Sequence, residues 1–352
     1  MNGSAYYLES ARSPLVRRDM TLRDPGPGEA LVEVIACGLC HTDLGFADGS
    51  VPTKHPLPLV LGHEAVGTVV AAGPGAEALA GTRVIVPAVL PCGTCAFCLA
   101  GRGNACPDQK MPGNDIDGGF ATHMLVPAGP LVPLTGLPGS VDVRAISVVA
   151  DAVTTAYQAV RRAGLQAGDA AFVVGAGGVG SFVVQIARAM GARVAAVDVQ
   201  AGRLEMAAAH GAEATANAAG RTPQDVRKEI HGLARTWGIP SLRFRIFECS
   251  GTPEGQTLAF GLLARAATLL QVGYTPKAVE VRLSNLMAFD ATVHGSWGCP
   301  PEAYPEVLAL IARGQVVVEP FVEHAPMSQL NDLLDKMAHH QLTKRMVLDP
   351  RS

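Results

Sequence analysis

The clearest chemistry in this sequence belongs to four cysteines within one short run. Their spacing, C-x2-C-x2-C-x7-C, lets four thiolates on one loop surround a tetrahedral metal ion; they are Cys92, Cys95, Cys98 and Cys106. Such a set leaves no open coordination position, so a structural zinc ion is the first choice. Two disulfides and an iron–sulfur cluster are the alternatives, but disulfide frameworks suit small secreted chains and clusters usually serve electron transfer. We predict a zinc-binding lobe over about residues 90–107.

A glycine-rich turn indicates a second chemistry, the binding of a pyrophosphate. It follows the apolar run Ala170–Val174, a predicted strand, and precedes Ser181–Met190, a predicted helix. Glycines permit a tight turn and a close approach of the backbone to a pyrophosphate at the helix N-terminus. A G-x-G-x-x-G run is weak evidence alone, but this context is the one that a dinucleotide-binding turn requires. We predict cofactor contacts from Gly175, Gly177, Gly178, Val179 and Gly180.

The end of the next predicted strand carries the residue that selects the cofactor. Asp198 lies 23 residues after Gly175, where a carboxylate can accept both ribose hydroxyls of NAD and repel the 2′-phosphate of NADP. Arg203 is the opposing signal, because a nearby arginine can bind that phosphate; beside Asp198 we expect it to cover the adenine or to be solvated. The sequence therefore predicts NAD. Val272 and Gly273 follow a later strand, where backbone groups can bind the nicotinamide carboxamide.

The remaining pattern indicates which elements position these residues. Up to about residue 140, β-branched or apolar runs are separated by Gly and Pro; they are Ala30–Ala36, Val66–Ala71, Arg83–Val86 and Ala121–Val126. A helical stretch near Val141–Arg162 leads into alternating strands and helices, the pattern of a parallel doubly wound sheet. Two late helices, Pro301–Arg313 and Gln329–His339, and a last strand, Arg345–Leu348, follow. The sequence predicts an α/β fold in which a dinucleotide-binding domain is inserted into a discontinuous β-rich domain.

Length, composition and charge exclude several classes of function. The 352 residues predict two domains, and 48% hydrophobic residues suffice for two cores. A formal net charge of −3 without a basic run predicts no nucleic-acid partner. No apolar stretch reaches the roughly 18 residues of a membrane span, and the N-terminal residues lack the pattern of a signal peptide. We expect a cytoplasmic protein without a membrane partner.

Six motifs occur in the order that is found in one enzyme family. They are C-H-T-D at Cys40–Asp43, G-H-E at Gly62–Glu64, the four-cysteine run, D-A-V-T-T-A-Y at Asp151–Tyr157, the glycine-rich turn and the closing K-R-M-V-L. Together they resemble the zinc-containing medium-chain alcohol dehydrogenases over essentially the whole chain. The resemblance implies a Rossmann NAD-binding domain over residues 154–297, inserted into a GroES-like catalytic domain of residues 1–153 and 298–352.

The same resemblance implies a catalytic zinc ion in addition to the structural one. Cys40 and His63 stand at the positions of two ligands, and Asp151 stands where relatives often have a third, a cysteine. Cys, His and Asp give the same formal charge as two Cys and one His. Glu64 is a candidate for an exchangeable fourth ligand or a substitute third one. Asp43 resembles the carboxylate that orients the ligand histidine.

Further roles follow from the resemblance for the residues around these ligands. Thr42 has the place of a hydroxyl that relays a proton from the substrate, whereas Gly45 stands where some relatives have a histidine that receives it next. His41 and Arg345 resemble basic residues that contact the cofactor pyrophosphate, and ordinary solvated charge is the alternative. The implied reaction is hydride transfer between an alcohol and NAD, with zinc binding the substrate oxygen.

Longer segments resemble one subgroup of the family, which oxidises a cyclic hydroxyacyl-CoA; they are Lys110–Phe120, Val148–Gln158, Val281–Asp290 and Gly295–Leu308. We therefore expect a small-molecule substrate, a cyclic acyl-CoA, with Lys54, Arg102 and Lys110 as loose candidates for phosphate contacts. One alternative is a dehydrogenase for a simpler alcohol or polyol, and another is a non-catalytic nucleotide- or RNA-binding relative. We also expect a homo-oligomer, a dimer or a tetramer.

Overall fold

The computed structural model describes residues 2–351, and within them the chain forms two compact units. The first unit comprises residues 2–154, 298–312 and 317–351, and the second comprises Thr155–Trp297 and Arg313–Val316. The second unit is thus inserted into the first. No helix in the described part of the chain is both long and apolar enough to cross a membrane.

The elements follow one another in three segments. The first segment contains β1 (Asn2–Leu8), β2 (Val16–Thr21), β3 (Glu29–Gly38), α1 (His41–Asp48), β4 (Leu59–Val60), β5 (Glu64–Ala72), β6 (Arg83–Val86), α2 (Ala96–Leu99), β7 (His123–Pro127) and β8 (Val132–Pro133). Helix α3 (Ala152–Arg162) leads to β9 (Ala170–Val174), α4 (Gly180–Ala189), β10 (Arg193–Asp198), α5 (Ala201–Ala209), β11 (Ala214–Asn217), α6 (Pro223–Thr236), β12 (Phe244–Glu248), α7 (Pro253–Gly261), β13 (Thr268–Gln271), α8 (Ser284–Phe289) and β14 (Thr292–Gly295). The last segment contains α9 (Tyr304–Ala312), β15 (Val322–Pro326), α10 (Leu330–Ala338) and β16 (Arg345–Asp349).

Strand β3 is central to the larger sheet of the first unit, whose order is β15-β16-β3-β5-β6-β8, with β7 also paired to β3. β5 and β16 pair antiparallel with β3, so that Gly38 lies opposite Glu64 and opposite Val347. A Cβ atom on residue 38 would lie 2.2 Å from Oε2 of Glu64, so glycine is needed for this close approach. The pairing therefore brings the end of β3 and the beginnings of β5 and β16 to one place.

The sheet of the second unit is parallel throughout, with the order β11-β10-β9-β12-β13-β14. The central strand β9, A-A-F-V-V, is buried at every position, as expected when helices cover both faces of a sheet. The strand order changes direction between β9 and β12, and doubly wound sheets bind ligands at the carboxyl ends of the strands at such a point. The predicted α/β fold class is confirmed.

The stretch Val141–Arg162, predicted as helical, is interrupted before the second unit. A 3-10 turn spans Ala145–Ala150, α3 begins at Ala152, and Asp151 between them has φ −137° and ψ −66°. The predicted helical stretch therefore consists of a 3-10 turn and α3, with a break at Asp151 between them. The Thr154 hydroxyl lies 2.9 Å from the carbonyl oxygen of Val149 and 3.2 Å from that of Asp151, and such local side-chain hydrogen bonds compete with helix formation.

Candidate functional site

The four cysteines of the spaced motif form one cluster in the first unit. The Sγ–Sγ distances are 3.5 Å for Cys95–Cys98, 3.6 Å for Cys95–Cys106, 3.5 Å for Cys92–Cys106 and 3.9 Å for Cys92–Cys98. Zn–S bonds of about 2.3 Å give sulfur–sulfur edges of about 3.8 Å in a tetrahedron. The cluster therefore has the size of a four-thiolate zinc site. All four cysteines are free thiols, so the structure holds neither of the two alternative disulfides.

The pKa values of the thiols in this cluster are shifted in opposite directions from one cysteine to another. Backbone N–H groups of Thr94 and Cys95 lower the pKa of the Cys92 thiol to about 6. Partial burial and the neighbouring Cys95 sulfur raise the pKa of the Cys98 thiol to about 12. Four adjacent thiolates repel one another, and a divalent cation that binds all four removes this conflict.

A second cluster lies where β3, β5 and β16 meet. One ligand atom each from Cys40, His63, Glu64 and Asp151 lies within 4.8 Å of the others. Cys40 precedes α1, His63 and Glu64 stand at the start of β5, and Asp151 occupies the break before α3. Cys40, His63 and Glu64 are buried, and Asp151 is partly exposed, so the cluster opens to solvent on the Asp151 side. The structure thus brings together all four predicted ligands of the catalytic zinc.

Asp43, on the first turn of α1, orients the histidine of this second cluster. Its Oδ1 lies 3.1 Å from Nδ1 of His63 and accepts from the backbone N–H of Gly62 at 3.1 Å, and its Oδ2 accepts from the backbone N–H of Cys40 at 2.9 Å. Nδ1 of His63 is therefore engaged, and Nε2 is left to face Asp151, with 3.7 Å between Nε2 and Oδ2. This is the arrangement in which a carboxylate fixes the tautomer of a metal-binding histidine.

Two buried polar atoms show that the second cluster fits a cation. Nε2 of His63 and Oε2 of Glu64 are buried without a hydrogen-bond partner in the described chain. A buried polar atom without a partner costs free energy, and both atoms belong to residues whose other donor or acceptor atoms are already paired. Sulfur, imidazole and carboxylate together form a donor set that suits zinc. The residues present therefore fit a catalytic zinc ion.

Arg345 has a role in this cluster that the sequence did not reveal. Its side chain is 9% exposed, and Nη1 donates to Oε1 of the fully buried Glu64 at 2.7 Å. Glu64 and the Cys40 thiol raise the pKa of this arginine despite its burial. The predicted contact of Arg345 with a pyrophosphate stays a prediction. Arg345 reaches this site because its strand, β16, pairs with β3 at Gly38, and Gly38 also lies opposite Glu64 on β5.

The same charges determine the acidity of the two metal-ligand candidates beside Arg345. Burial alone would raise the pKa of the Cys40 thiol, but Arg345 and His63 together lower it to about 7. Burial raises the pKa of the Glu64 carboxyl to about 8, although Arg345 opposes this shift. Burial alone would lower the pKa of His63, whereas Asp43 and Asp151 raise it well above its ordinary value. The pocket thus favours a thiolate at Cys40 and a positive charge at its centre.

The residues around the second cluster are placed as follows. The Thr42 hydroxyl lies 3.7 Å from Sγ of Cys40. Gly45 lies one turn further along α1, and a Cβ there would meet Val51 at 3.1 Å, so a larger side chain has little space. His41, which begins α1, is exposed. The roles of Thr42 and His41 stay predictions.

The glycine-rich turn of the second unit lies between β9 and α4, as the sequence predicted. A Cβ atom on Gly180 would lie 1.8 Å from the carbonyl oxygen of Gly175, and one on Gly175 would lie 2.5 Å from the backbone nitrogen of Ser250. Both positions therefore require glycine for packing within the turn. Val179 caps α4, and Gly177 lies beside the guanidinium of Arg203, since a Cβ atom on this glycine would lie 3.3 Å from Nη1. Gly178 belongs to the same turn.

Asp198 ends β10 and is tied to this turn. Its Oδ2 accepts from the backbone N–H of Ala176 at 2.8 Å, and its Oδ1 accepts from that of Gln200 at 2.9 Å. Nη1 of Arg203 lies 3.8 Å from Oδ2 of Asp198. Asp198 therefore supports the turn in addition to its predicted contact with the ribose, and Arg203 is attracted to this carboxylate.

Glu248 is a buried residue at the carboxyl end of β12 in the parallel sheet, and the sequence analysis did not single it out. Its carboxylate accepts from the backbone N–H groups of Ser250 and Gly251 and from the side-chain amide of Gln271, at 2.8, 3.2 and 2.8 Å. Its carbonyl oxygen accepts from the N–H groups of Val272 and Gly273 at 3.0 and 2.9 Å. The N–H groups of Val272 and Gly273 are thus already engaged in the structure, and the contact of backbone groups of this segment with a carboxamide stays a prediction.

The basic residues proposed for substrate phosphates lie on the surface of the first unit. Nζ of Lys54 pairs with Oδ1 of Asp115 at 3.2 Å, so its charge is offset. Arg102 and Lys110 are exposed. Lys110 begins the segment that runs beside the residues preceding His63, since the N–H of Gly119 donates to the carbonyl oxygen of Gly62 at 2.7 Å.

Comparisons with known proteins agree with this arrangement. Residues 26–136 match the family model of the alcohol dehydrogenase GroES-like domain, and residues 178–313 match that of the zinc-binding dehydrogenases. An alcohol dehydrogenase of Geobacillus stearothermophilus is 31% identical over 98% of both chains, and one of Moraxella sp. (strain TAE123) is 32% identical over 98% of both. The structure of acetophenone reductase from Geotrichum candidum in complex with NAD has a TM-score of 0.85 and 28% identity, covering 99% of this chain and 97% of that one.

The chain belongs to the zinc-containing medium-chain alcohol dehydrogenase family, whose members are oxidoreductases. The predicted enzyme class, the GroES-like and Rossmann architecture, and the cofactors, NAD and zinc, are confirmed at this level. The non-catalytic alternative is thereby set aside. The roles of individual site residues are not tested by these comparisons.

Proposed function

We propose that the cluster of Cys40, His63, Glu64 and Asp151 is the catalytic centre of an NAD-dependent zinc alcohol dehydrogenase. Cys40, His63 and Asp151 bind the zinc ion, and Glu64 is an exchangeable ligand. The buried Nε2 of His63 is the observation that carries this proposal. It has no hydrogen-bond partner in the described chain and faces Asp151, while Asp43 holds Nδ1. The compact units support the predicted division into a catalytic domain (1–153 and 298–352) and an NAD-binding domain (154–297).

The chemistry follows from this donor set. When bound, zinc stabilises negative charge on the substrate oxygen, and NAD accepts a hydride from the substrate carbon. The protein fixes the imidazole of His63 through Asp43 and balances the negative ligands with Arg345. The Thr42 hydroxyl, 3.7 Å from Sγ of Cys40, accepts a hydrogen bond from the substrate hydroxyl and passes its own proton on to solvent, since Gly45 provides no second relay group on α1. His41 and Arg345 are the proposed pyrophosphate contacts.

The four-cysteine cluster has a different role in the same proposal. Cys92, Cys95, Cys98 and Cys106 bind a structural zinc ion, because four thiolates leave no position for a substrate. NAD is bound at Gly175, Gly177, Gly178, Val179 and Gly180, with Asp198 on the ribose, Arg203 at the adenine, and Val272 and Gly273 at the nicotinamide. Asp198 favours NAD over NADP because its carboxylate repels a 2′-phosphate.

For the substrate we propose 6-hydroxycyclohex-1-ene-1-carbonyl-CoA, which is oxidised to the 6-oxo compound in anaerobic benzoyl-CoA degradation. The support is the resemblance of four segments to the dehydrogenase for this thioester. Two of them adjoin the catalytic cluster: Lys110–Phe120 runs beside Leu61 and Gly62, and Val148–Gln158 contains Asp151. Exposed Arg102 and Lys110 are the proposed contacts to the CoA phosphates.

A simpler secondary alcohol is the second candidate substrate. The names of the relatives favour it, since those at 31% and 32% identity are called alcohol dehydrogenases. The ion pair of Lys54 with Asp115 also favours it, because this pair removes one basic group from those available to a CoA phosphate.

Initial rates of NADH formation decide between the two candidates. The purified enzyme is assayed with the cyclic hydroxyacyl-CoA and with cyclohex-2-en-1-ol, which keeps the allylic ring alcohol but lacks the thioester. We expect a kcat/KM for the thioester at least about 100-fold higher, because binding of its remote part lowers the barrier. Equal values contradict the proposed substrate, and no NADH with either alcohol contradicts the proposed activity.

We also propose that the enzyme is a cytoplasmic homo-oligomer. Strand β14 is the last in its parallel sheet, and Val293 on it and Met287 on α8 are exposed. An exposed apolar sheet edge is a template for pairing with a second copy. All eight cysteines are free thiols, as is usual in a reducing compartment. Light scattering of Val293→Lys tests the interface: a monomer supports it, and an unchanged oligomer contradicts it.

A further inference from the structure

The Asp151 position differs from the other proposed zinc ligands in how its backbone is held. Cys40 precedes a helix, and His63 precedes a strand that is paired on both sides. Asp151 lies instead between a 3-10 turn and α3, outside any regular element. A ligand without support from a helix or strand must be fixed by other contacts if it is to bind a metal with a defined geometry.

Three consecutive carbonyl groups at this break accept hydrogen bonds from outside the turn. The Thr154 hydroxyl contacts the carbonyl oxygens of Val149 at 2.9 Å and Asp151 at 3.2 Å. The carbonyl oxygen of Ala150 accepts from the backbone N–H of Ala88 at 3.1 Å and from the phenol of Tyr304 at 2.5 Å. The peptide that carries Asp151 is therefore held from both faces within the first unit.

The surroundings of Tyr304 favour this hydrogen bond to the carbonyl oxygen of Ala150. It is the first residue of α9, only 1% of its surface is exposed, and 154 positions separate it in sequence from Ala150. Burial raises the pKa of its phenol well above the ordinary value, so the hydroxyl remains a hydrogen-bond donor. Its side chain also forms a hydrogen bond with Thr154. Tyr304 thus connects the last segment of the catalytic unit to the residues on both sides of Asp151.

We propose that Tyr304, together with Thr154, is a positioning residue that fixes the backbone of Asp151 for zinc binding. This inference rests on the proposed role of Asp151 as the third ligand. A carboxylate reaches the metal through one more atom and one more rotatable bond than a thiolate does. An aspartate ligand therefore has more positional freedom, and fixing its peptide restricts where its oxygen atoms can lie. Groups that hold a ligand in place change metal affinity by about 10–100-fold when they are removed.

The test compares Tyr304→Phe with the wild-type enzyme, because this change removes one hydroxyl and keeps the ring. Release of zinc to a chromogenic chelator is followed in the holoenzyme, and the phase that is absent in Cys40→Ser is assigned to the catalytic site. We expect this phase to be about tenfold faster in Tyr304→Phe, with the phase of the four-cysteine lobe unchanged within twofold. We also expect a changed visible absorption spectrum after substitution of the catalytic zinc by cobalt.

Two further variants keep the test conclusive. Thr154→Val removes the other hydroxyl without changing the shape and is expected to accelerate the same phase, so it replaces Tyr304→Phe if that protein does not fold. Tyr157→Phe, the same change at another buried tyrosine, is the control and is expected to resemble the wild type. Equal acceleration of both zinc phases in Tyr304→Phe indicates a merely structural role and overturns the inference.

Asp151→Asn separates failure of this inference from failure of the proposed function. If Asp151→Asn retains the catalytic zinc phase of the wild type, Asp151 is not a ligand, and both the positioning role and the proposed assignment of Asp151 as third ligand are overturned. If Asp151→Asn loses that phase while Tyr304→Phe and Thr154→Val behave as the wild type, only the positioning role is overturned. If the role is correct, Tyr304→Phe has no further effect in the Asp151→Asn background.

Discussion

The two clusters of the catalytic unit each contain four donor residues, but they differ in how the chain brings these residues together. The four-cysteine lobe takes its donors from fifteen consecutive residues, and one of its cysteines, Cys92, is exposed. The Cys40 cluster takes its donors from three distant segments, and three of the four residues are buried. The lobe has four identical ligands, whereas the Cys40 cluster has mixed ligands and the buried cation of Arg345. A local motif is suited to holding a loop, and a site assembled by the sheet is suited to binding a substrate.

The largest effect is expected in the lobe. Cys95→Ala leaves three thiolates around the metal, and since structural zinc contributes directly to folding, we expect loss of one zinc ion per chain and destabilisation by more than about 4 kcal/mol. Metal analysis and thermal unfolding measure both quantities. Cys249→Ala, at a cysteine outside both clusters, is the control. A soluble Cys95→Ala protein that melts like the wild type contradicts the structural role.

The second largest effect is expected on turnover, without loss of the fold. Cys40→Ser and His63→Ala remove a ligand of the catalytic zinc, and we expect activity to fall by about a thousandfold or more, since the metal supplies several kcal/mol to the transition state. NADH binding, measured by fluorescence titration, is expected to change by less than about twofold because the glycine-rich turn lies in the other unit. Turnover by metal-free Cys40→Ser protein contradicts the assignment.

A third prediction separates Asp151 from Glu64 within the catalytic cluster. Asp151→Asn is expected to weaken zinc binding by about 10–100-fold, because a neutral amide oxygen is a poor donor, and Asp151→Cys is expected to retain zinc at a changed rate of turnover. Glu64→Gln is expected to retain zinc, because Glu64 already pairs with Arg345. Zinc stoichiometry of the three variants, measured side by side, decides the matter. If only Glu64→Gln loses the second zinc ion, Glu64 is the third ligand.

The same contrast explains what the sequence predicted well. The lobe and the glycine-rich turn are local patterns. Spacing alone therefore predicted that Cys92 and Cys106 belong to one cluster and that Gly175 follows a strand in a turn. The strand Arg83–Val86 and the strand Ala170–Val174 were predicted with the observed bounds, because apolar runs between turn residues mark buried strands. The fold class followed from the change of pattern between about residue 140 and Ala170.

The contacts of Arg345 and Tyr304 with distant segments were not predicted, because they depend on strand register and on packing between segments. No local signal reports that Gly38 lies opposite Glu64, and that register is what brings Arg345 to the catalytic cluster. Tyr304 reaches Ala150 over 154 positions, and the residues around either one give no indication of this contact. The break at Asp151 was missed because no glycine or proline marks it in the sequence; hydrogen bonds from the Thr154 side chain accompany it instead.

The smallest effect is expected outside both metal clusters, at the cofactor edge, and it tests whether cofactor selection is independent of them. Asp198 has two functions there: its charge repels a 2′-phosphate, and its Oδ2 accepts from the backbone N–H of Ala176. Asp198→Gly removes both, so we expect the KM for NAD to rise about tenfold and the preference to shift towards NADP. Asp198→Asn removes the charge but keeps an acceptor for Ala176, so the gain for NADP is expected to persist while the KM for NAD rises less. Both zinc ions are expected to remain in both variants. Steady-state kinetics with the two cofactors measure the shift, and KM values that match the wild type in both variants contradict the role of Asp198.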